Sequence, residues 1–588
     1  MKIYLHQTHH SIADLDGIFS YLEEQMGPQK SPGLHLFPEG QLVGYPLQDL
    51  YLDPSFIGSF HKALEKFNAF STSMEREKEG EEETLFLLGG PEYEYSSRST
   101  PRGIPQNIYN SIYAVSPGHP LKPIYRKQLL PGYDIFDEPK YFTPGTENKV
   151  LSFRGKKLAL LICEDMWSSP SSPCDPVSLL GEEGAPLDLI VNLSASPFHL
   201  EKDHMRTERA KEVCHHLRAP LAYVNRVGGE DGILFDGGSF VAHENGILAK
   251  APFFEKNVLV WEMPSSPKKE NVSPPKVPKA RPRKGAWESL FHFRLDDRNP
   301  PQIRPLNRDD LDLALAAIQF GLREYADKNG FQKFLVALSG GLDSALVLTL
   351  TKLALAPGLT LEALSMPGNF TSPKSNELTR SLCEKLEVPC RFLPIKFLHA
   401  SSRQAFLSAF DSPLEGIADE NIQSRLRALF LYARSNQDGA MVVNTSNKSE
   451  LSVGYSTQYG DGVGAVSPLG DLYKSEVYQL AHHINDRYGS LIDPEILGRP
   501  PSAELRPGQK DSDSLPEYPV LDAILEGLTS YGLSVSDLVE RGHRREDVEK
   551  VRRLQSLSEF KRSSFCPVIK LKFKSYGFGH RVPISKKL

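Results

Sequence analysis

Short runs of consecutive apolar residues alternate along the chain with longer stretches whose apolar positions recur every three or four residues. LALLIC at 158–163, DLIVNLS at 188–194 and PLAYVNRV at 220–227 are short and almost continuously apolar, which predicts buried strands. Between the last two, HMRTERAKEVCHHLRA at 204–219 has helical spacing. GSFVAHENGILAKAP at 238–252 reads as a hairpin, with Asn245-Gly246 supplying the positive φ of its turn. Further along, LDLALAAIQFGLREYADKNG at 311–330 predicts a helix stopped by Gly330. KFLVAL at 333–338 predicts a strand, and ALVLTLTKLALAPG at 345–358 a helix closed by Pro357-Gly358. This alternation predicts parallel α/β sheets in both halves of the chain.

The pattern lapses between 264 and 284, where SPKKENVSPPKVPKARPRK offers hardly any residue able to join a core. Proline favours extended backbone and neighbouring lysines repel one another, so a solvated linker is expected there. A smaller charged insertion, MEREKEGEEET at 74–84, reads as an exposed loop. With 588 residues the chain exceeds one domain of roughly 100–200 residues, and the expected division is 1–262, a linker at 263–300, and 301–588. Lys+Arg 68 against Asp+Glu 74 gives a net charge of -6, which argues against a general nucleic-acid binder. No apolar run approaches the roughly 20 residues that span a bilayer, so no membrane partner is expected. Six cysteines without a CxxC pair indicate neither a zinc ribbon nor a disulfide scaffold, and reduced thiols in a cytoplasmic protein are expected.

The segment FLVALSGGLDSA at 334–345 runs from a strand through a glycine turn into a helix. Glycines let backbone approach a ligand, and the N–H groups at a helix start form a cradle for phosphate. Ser339 and Ser344 add hydroxyl donors, and Asp343 offers a hard oxygen ligand for magnesium. The GxxxxGK[ST] signature is absent, so γ-phosphate transfer of the Walker type is not the reading. SGGxDS resembles the signature loop of the ATP pyrophosphatase family, which implies adenylation of a substrate oxygen at the α-phosphorus. NIQSRLRALFLYARSN from Asn421, then MVVNTSNKSELSVGYSTQYGDGVGAVSPLGDLYKSEVYQLA, PPSAELRPGQKDSDSLPEY and FKRSSFCPVIK, resemble the synthetase domain of the glutamine-dependent NAD synthetase family over most of 304–584.

That resemblance implies an ATP site at Ser339, Gly340, Gly341, Leu342, Asp343, Ser344, Thr445, Lys474 and Ser502. It implies Asp343 and Glu450 as Mg2+ ligands. Asn421, Tyr455, Ser456, Thr457, Gln458 and Lys561, with Glu450, would hold nicotinate adenine dinucleotide. The family usually has glycine where Ser446 stands and serine where Gly368 stands, so altered loop detail is expected, not lost chemistry.

Three separated pieces carry the N-terminal chemistry. LFPEGQLVGYPLQDL holds Glu39, YRKQLLPGYDIFDE holds Lys127, and LALLICEDMW holds Cys163 at the end of a predicted strand. A thiol of ordinary pKa, about 8.5, is only slightly ionised at neutral pH. A carboxylate able to take its proton and a lysine able to stabilise the charges formed would meet that need. In these contexts Glu39, Lys127 and Cys163 resemble the triad of the nitrilase family's glutaminase branch, over about 1–261, helped by VNLSASPFHLEK and YVNRVGGEDGILFDGGSF. By the same resemblance Tyr133, Ser196 and Lys202 would hold L-glutamine, and Glu230 stands where that branch often has glutamine.

Together the resemblances imply a nitrilase-like αββα sandwich followed by a parallel-sheet α/β domain of the ATP pyrophosphatase kind. Glutamine, ATP and the dinucleotide would be substrates, with ammonia passed through a sheltered route inside a homo-oligomer. Holding ammonia local avoids its protonation and dilution in bulk water. Two alternatives stay open at this point: a glutaminase serving a different adenylated acceptor, and a sensor that recognises amides without turning them over.

Overall fold

The computed structural model describes residues 1–27, 31–75, 83–95, 105–169, 172–182, 184, 186–264 and 294–587. Most of the expected Pro/Lys linker (265–293) and the middle of the charged insertion (76–82) lie outside the described residues. The chain divides into two compact units, Met1–Gly228 with Phe235–His292, and Gly229–Leu234 with Phe293–Leu588.

Up to residue 262 the strands are β1 (Lys2–Gln7), β2 (Leu34–Leu36), β3 (Leu85–Glu94), β4 (Asn107–Val115), β5 (Lys122–Arg126), β6 (Val150–Phe153), β7 (Lys156–Ile162), β8 (Leu189–Ser194), β9 (Leu221–Asn225), β10 (Val227–Glu230), β11 (Ile233–Asp236), β12 (Phe240–His243), β13 (Gly246–Lys250) and β14 (Asn257–Glu262). One six-stranded sheet has the order β14-β1-β2-β3-β4-β5 and the other β13-β12-β9-β8-β7-β6.

Side chains alternate across a strand, and that alternation explains the continuously apolar runs. Leu158, Leu160 and Ile162 of β7 join Ile3, Leu5, Leu34, Leu36 and Leu87 in a core between the sheets. Ala159 and Leu161 face the other way, onto Ala210, Val213 and Leu217 of the helix Lys202–Leu217. On the first sheet's outer face, Phe37, Phe86 and Leu88 lie under Ile18, Phe19 and Leu22 of Leu15–Met26 and Phe60 and Phe67 of Pro54–Ser73. Helix, sheet, sheet, helix is the result. At about 1.5–3 kcal/mol for each fully buried large aliphatic or aromatic side chain, both faces of β7 contribute.

The sheets of this unit are not parallel throughout, which corrects the expectation for the first half. β1-β2-β3 and β7-β8-β9 are parallel. The pairs β14–β1, β3–β4, β4–β5, β6–β7, β9–β12 and β12–β13 are antiparallel. The reason is connection length, since a two-residue turn can join only antiparallel neighbours. Arg154-Gly155, between β6 and β7, has φ of 47° and 72°, both left-handed, as such a hairpin turn requires. The 238–252 hairpin forms as expected, with Gly246 at φ 151°.

In the second unit, β15 (Lys333–Leu338), β16 (Thr360–Ser365), β17 (Cys390–Phe392) and β18 (Met441–Val443) form a sheet of order β17-β16-β15-β18, parallel at every pair. The chain starts at β15, builds outward to β17, then returns to β15's other side. That reversal opens a crevice beyond the carboxyl end of β15, where open α/β sheets bind ligands. Helices Arg308–Lys328 and Leu342–Ala354 match the two expected ones within a few residues. No helix among the described residues is long and apolar enough to cross a membrane.

Candidate active sites

The first cluster is built where strands of both sheets of the first unit end. Glu39 follows β2 on a turn that passes close to β3: a Cβ on Gly89 would lie 2.6 Å from the Glu39 Cα, so only glycine fits there. The carboxylate is 1% exposed and fully engaged. Its Oε1 accepts from Lys127 Nζ and Asn110 Nδ2, both at 2.8 Å, and its Oε2 accepts from the Ala195 N–H at 2.9 Å. Lys127, one residue past β5, also donates to Glu138 Oε1 at 2.8 Å. Burial opposes its charge, but Glu138 and Glu39 hold the ammonium well above the ordinary lysine range. Glu138, also bonded by the Tyr45 hydroxyl at 2.8 Å, is pushed up to about 7 by burial.

Cys163 stands directly after β7 with φ of 42°, a left-handed conformation that non-glycine residues adopt at a cost. Its N–H donates to Asn192 Oδ1 at 3.0 Å. Asp165 fixes the turn: its carboxylate accepts from the N–H groups of Ile162 (2.9 Å), Gln128 (3.0 Å) and Leu129 (2.9 Å) and from the Tyr125 hydroxyl (2.7 Å). One aspartate thereby ties the cysteine turn to the segment that follows Lys127. Burial, then the charge of Glu39, push the Cys163 thiol well above its ordinary range, while Lys127 pulls it down.

Around this triad sit the other expected residues. The Tyr133 hydroxyl donates to Glu164 Oε2 at 2.9 Å, and burial pushes Glu164 up to about 7. Lys202 Nζ lies 4.9 Å from the centre of the Trp167 ring. Burial, then Arg206, bring Lys202 down to about 8, with Glu164 and Cys163 among the groups that raise it. Ser196 is buried, its N–H bonded to Asn225 Oδ1 (2.8 Å) and its Oγ to Arg206 Nε (3.2 Å). Glu230 falls in the second unit and pairs with Lys328 at 2.8 Å. Sequence reasoning missed Glu138, Glu164, Asp165 and Asn110; the usable signal was the acidic pair immediately after Cys163.

In the second unit a cavity of about 650 Å³ opens at the carboxyl end of β15. All the expected synthetase-site residues line it except Gly340 and Gln458, whose amide donates instead to Ser564 Oγ at 3.1 Å. Gly340 takes φ of 83°, and a Cβ there would lie 2.6 Å from the Ser375 carbonyl oxygen. The turn folds on itself through hydroxyls, with Ser339 Oγ and Ser344 Oγ 3.1 Å apart and the Gly341 N–H donating to Ser339 Oγ at 3.2 Å. Helix Leu342–Ala354 then starts with its N–H groups facing the cavity end of the sheet.

At the helix start of this turn, Asp343 pairs with Lys474 and accepts from Asn447 Nδ2 at 3.1 Å. Glu450 caps its own helix, Lys448–Val453, through Asn447. Burial, then the charge of Asp343, push Glu450 well above the carboxylate range, and those same two carboxylates hold Lys474 up. Asp343 and Glu450, two carboxylates that repel each other in the cavity lining, are a donor set of hard oxygens that fits a divalent cation. No cluster of three or more His, Cys, Asp or Glu suited to a metal occurs among the described residues, so protein ligands alone do not complete such a shell. Thr457 Oγ1 donates to Asn421 Oδ1 at 2.8 Å, and Lys561 Nζ donates to the carbonyls of Gly454 and Ser456, both at 2.6 Å. Thr445 lines the wall, while Ser502 Oγ donates to the Gln509 carbonyl at 2.6 Å.

Residues 30–267 match the carbon-nitrogen hydrolase family and residues 314–564 the NAD synthase family. A glutamine-dependent NAD(+) synthetase of Synechocystis is 32% identical over 563 residues, 94% of this chain and 92% of that one. The chain belongs to the glutamine-dependent NAD(+) synthetase family. A member from Xanthomonas campestris is 35% identical over 560 residues, 94% of this chain and 90% of that one. The solved family member from Acinetobacter baumannii, a complex with ADP, is 29% identical with a TM-score of 0.68, covering 99% of this chain and 98% of its own.

Of the two departures that the resemblance implies, Ser446 and Gly368, only Gly368 has a local account. Ser446 is buried, its N–H bonded to Asn444 Oδ1 at 2.8 Å. At Gly368 an added Cβ would lie 3.0 Å from Arg427 Nη2, so the missing side chain leaves room for that guanidinium in the cavity wall.

Proposed function

We propose that the chain makes NAD by amidating nicotinate adenine dinucleotide with ammonia taken from L-glutamine, a glutaminase half at 1–262 joined through 263–300 to a synthetase half at 301–588. The observation that carries this reading is the buried ammonium of Lys127, 2.8 Å from Glu39 and electrostatically coupled to the Cys163 thiol. Cys163 Sγ attacks the side-chain amide carbon of glutamine as Glu39 takes the thiol proton. Lys127 supports the oxyanion, the proton passes from Glu39 to the leaving nitrogen, and ammonia departs. Water, deprotonated by Glu39, then cleaves the thioester to glutamate. Burial favours the neutral thiol, and Glu39 is the carboxylate assigned to take its proton. Glu164, with Tyr133, suits the substrate's α-ammonium, and Lys202 its α-carboxylate.

In the second unit the nicotinate carboxylate oxygen attacks the α-phosphorus of ATP and pyrophosphate leaves. The Ser339–Ser344 turn and Lys474 hold the phosphates, and Asp343 with Glu450 would hold Mg2+, which when bound offsets phosphate charge. Asn421, Thr457 and Lys561 position the dinucleotide, with Tyr455, Ser456 and Gln458 beside them. Ammonia then adds to the acyl-adenylate carbonyl and AMP departs.

Homo-oligomer formation is supported by large apolar side chains left exposed on Lys396–Phe410 and Gly416–Asp438, among them Phe397 (74%), Phe410 (65%) and Leu429 (61%). A cytoplasmic setting accords with six free cysteines. The deciding experiment measures AMP, pyrophosphate and NAD with glutamine or ammonium as nitrogen source. All three should appear in equal amounts with either source, and no response to the nicotinate dinucleotide would overturn the assignment.

A further inference from the structure

The loop that follows β16 and the segment that follows helix Pro494–Gly498 meet beside the glycine turn, and a carboxylate lies where they meet. Arg499, directly after that helix, reaches the start of helix Pro373–Lys385. Its Nη1 donates to Ser375 Oγ at 2.7 Å and its Nη2 to Ser372 Oγ at 3.0 Å. Glu504 closes the arrangement. Its Oε1 accepts from Arg499 Nη2 at 2.7 Å and from Ser375 Oγ at 2.9 Å, and its Oε2 lies 3.0 Å from the same hydroxyl. A guanidinium and a serine hydroxyl thus grip both oxygens of one anion.

The place and the chemistry of this seat suit phosphate oxygens. It adjoins the glycine turn: a Cβ on Gly340 would lie 2.6 Å from the Ser375 carbonyl oxygen and 2.9 Å from Ser375 Cβ, so the two segments touch. Arg499, Ser375 and Glu504 line the same cavity as Ser339, Asp343 and Lys474. Carboxylate and phosphate oxygens take the same forked, charge-assisted hydrogen bonds from a guanidinium. Lys474 is already paired with Asp343, so a tail of three phosphates brings more negative charge than that lysine offsets alone. Glu504 is also held there on unfavourable backbone, with φ of 49°, in the left-handed region. The turn that carries it is tied by Ser502, whose Oγ accepts from the Glu504 N–H at 3.2 Å and donates to the Gln509 carbonyl at 2.6 Å. A residue expected at ATP and the resident carboxylate therefore belong to one turn.

Resting on the reading of this cavity as the site of ATP cleavage, we propose that Arg499 and Ser375, steadied by Ser372, are a seat for the terminal phosphates of ATP and for the pyrophosphate they become, and that Glu504 occupies it at rest as an internal competitor. Arriving phosphate oxygens replace the Glu504 carboxylate on Arg499 and Ser375, so the guanidinium keeps an anionic partner throughout. Once the α-phosphorus has been transferred, return of Glu504 to the seat displaces pyrophosphate. The exchange makes and breaks hydrogen bonds only.

The test titrates the full-length protein with inorganic pyrophosphate and, separately, with AMP, both with magnesium, by isothermal calorimetry. Glu504→Gln keeps the size of the competitor and removes its charge, so pyrophosphate should bind about tenfold tighter, the scale of one charge-assisted hydrogen bond. Arg499→Met should bind it about tenfold more weakly by the same reasoning, and in the double variant the gain from Glu504→Gln should vanish. AMP, which has no terminal phosphates, should bind all four forms alike. A carboxylate that merely braced its segment would give the opposite sign, since its loss would loosen the site. Pyrophosphate binding to Glu504→Gln that is unchanged or weaker overturns the proposal, as does a gain that survives the loss of Arg499 or appears equally for AMP. If Arg499→Met does not fold, as read by circular dichroism, the sign in Glu504→Gln decides. If the unmodified protein binds neither pyrophosphate nor AMP, the ATP-cleaving reading falls with the seat; binding that no variant changes removes the seat alone.

Discussion

Replacing Lys127 with methionine keeps most of the side-chain volume and removes the charge on which the first cluster turns. The ammonium makes two ion pairs of 2.8 Å with Glu39 and Glu138 and is itself fully buried. At an effective dielectric of about 20 each pair is worth roughly 6 kcal/mol before desolvation is charged against it. Removing one partner of such buried pairs typically costs about 3–5 kcal/mol, because an uncompensated charge stays behind. The cost is softened here because Glu138 is already pushed up to about 7 and can neutralise by protonation. The variant should therefore lose more stability at pH 8 than at pH 6, as read by urea unfolding at both values. Catalytically it forfeits one oxyanion donor, about 10²–10³ in rate. Glutamine-supported AMP formation should fall by at least that factor while ammonium-supported formation holds. Equal losses with both nitrogen sources, or undiminished use of glutamine, would refute the role given to Lys127.

Further outcomes follow from the same geometry. Gly340→Ala places a Cβ 2.6 Å from the Ser375 carbonyl at φ 83°, so thermal denaturation should show a loss of about 1–3 kcal/mol and ATP affinity should drop whichever nitrogen source is used. Asp343→Asn should abolish AMP formation with glutamine and with ammonium alike while sparing glutamine hydrolysis to glutamate, measured separately. Lys202 ionises near 8, so it is charged below that pH and neutral above it; the KM for glutamine should rise as pH passes 8, and Lys202→Arg should flatten that rise.

How much of this was legible in the sequence depended on whether the signal was local. The runs at 158–163, 188–194 and 333–338 declared themselves as strands because burial on both faces demands continuous apolar residues, and β7, β8 and β15 stand there. The glycine turn at 339–341 was equally visible, since positive φ at Gly340 limits the choice of residue. Edge-strand direction was not, because a short connection such as Arg154-Gly155 sets it and the strand pattern does not. Glu138, Glu164 and Asp165 went unseen because a carboxylate that becomes buried looks in sequence like any surface acid, and only the fold supplies its partners. Gln458 was carried over from the resemblance alone, and its amide donates to Ser564 Oγ.

The central claim is that one polypeptide makes ammonia at a thiol and spends it on an adenylated carboxylate elsewhere. Purified Cys163→Ala protein, supplied with ATP, magnesium and nicotinate adenine dinucleotide, should form NAD from ammonium at the unmodified rate and none from glutamine. NAD formation from glutamine by that variant, or failure of both nitrogen sources in a correctly folded variant, would contradict it.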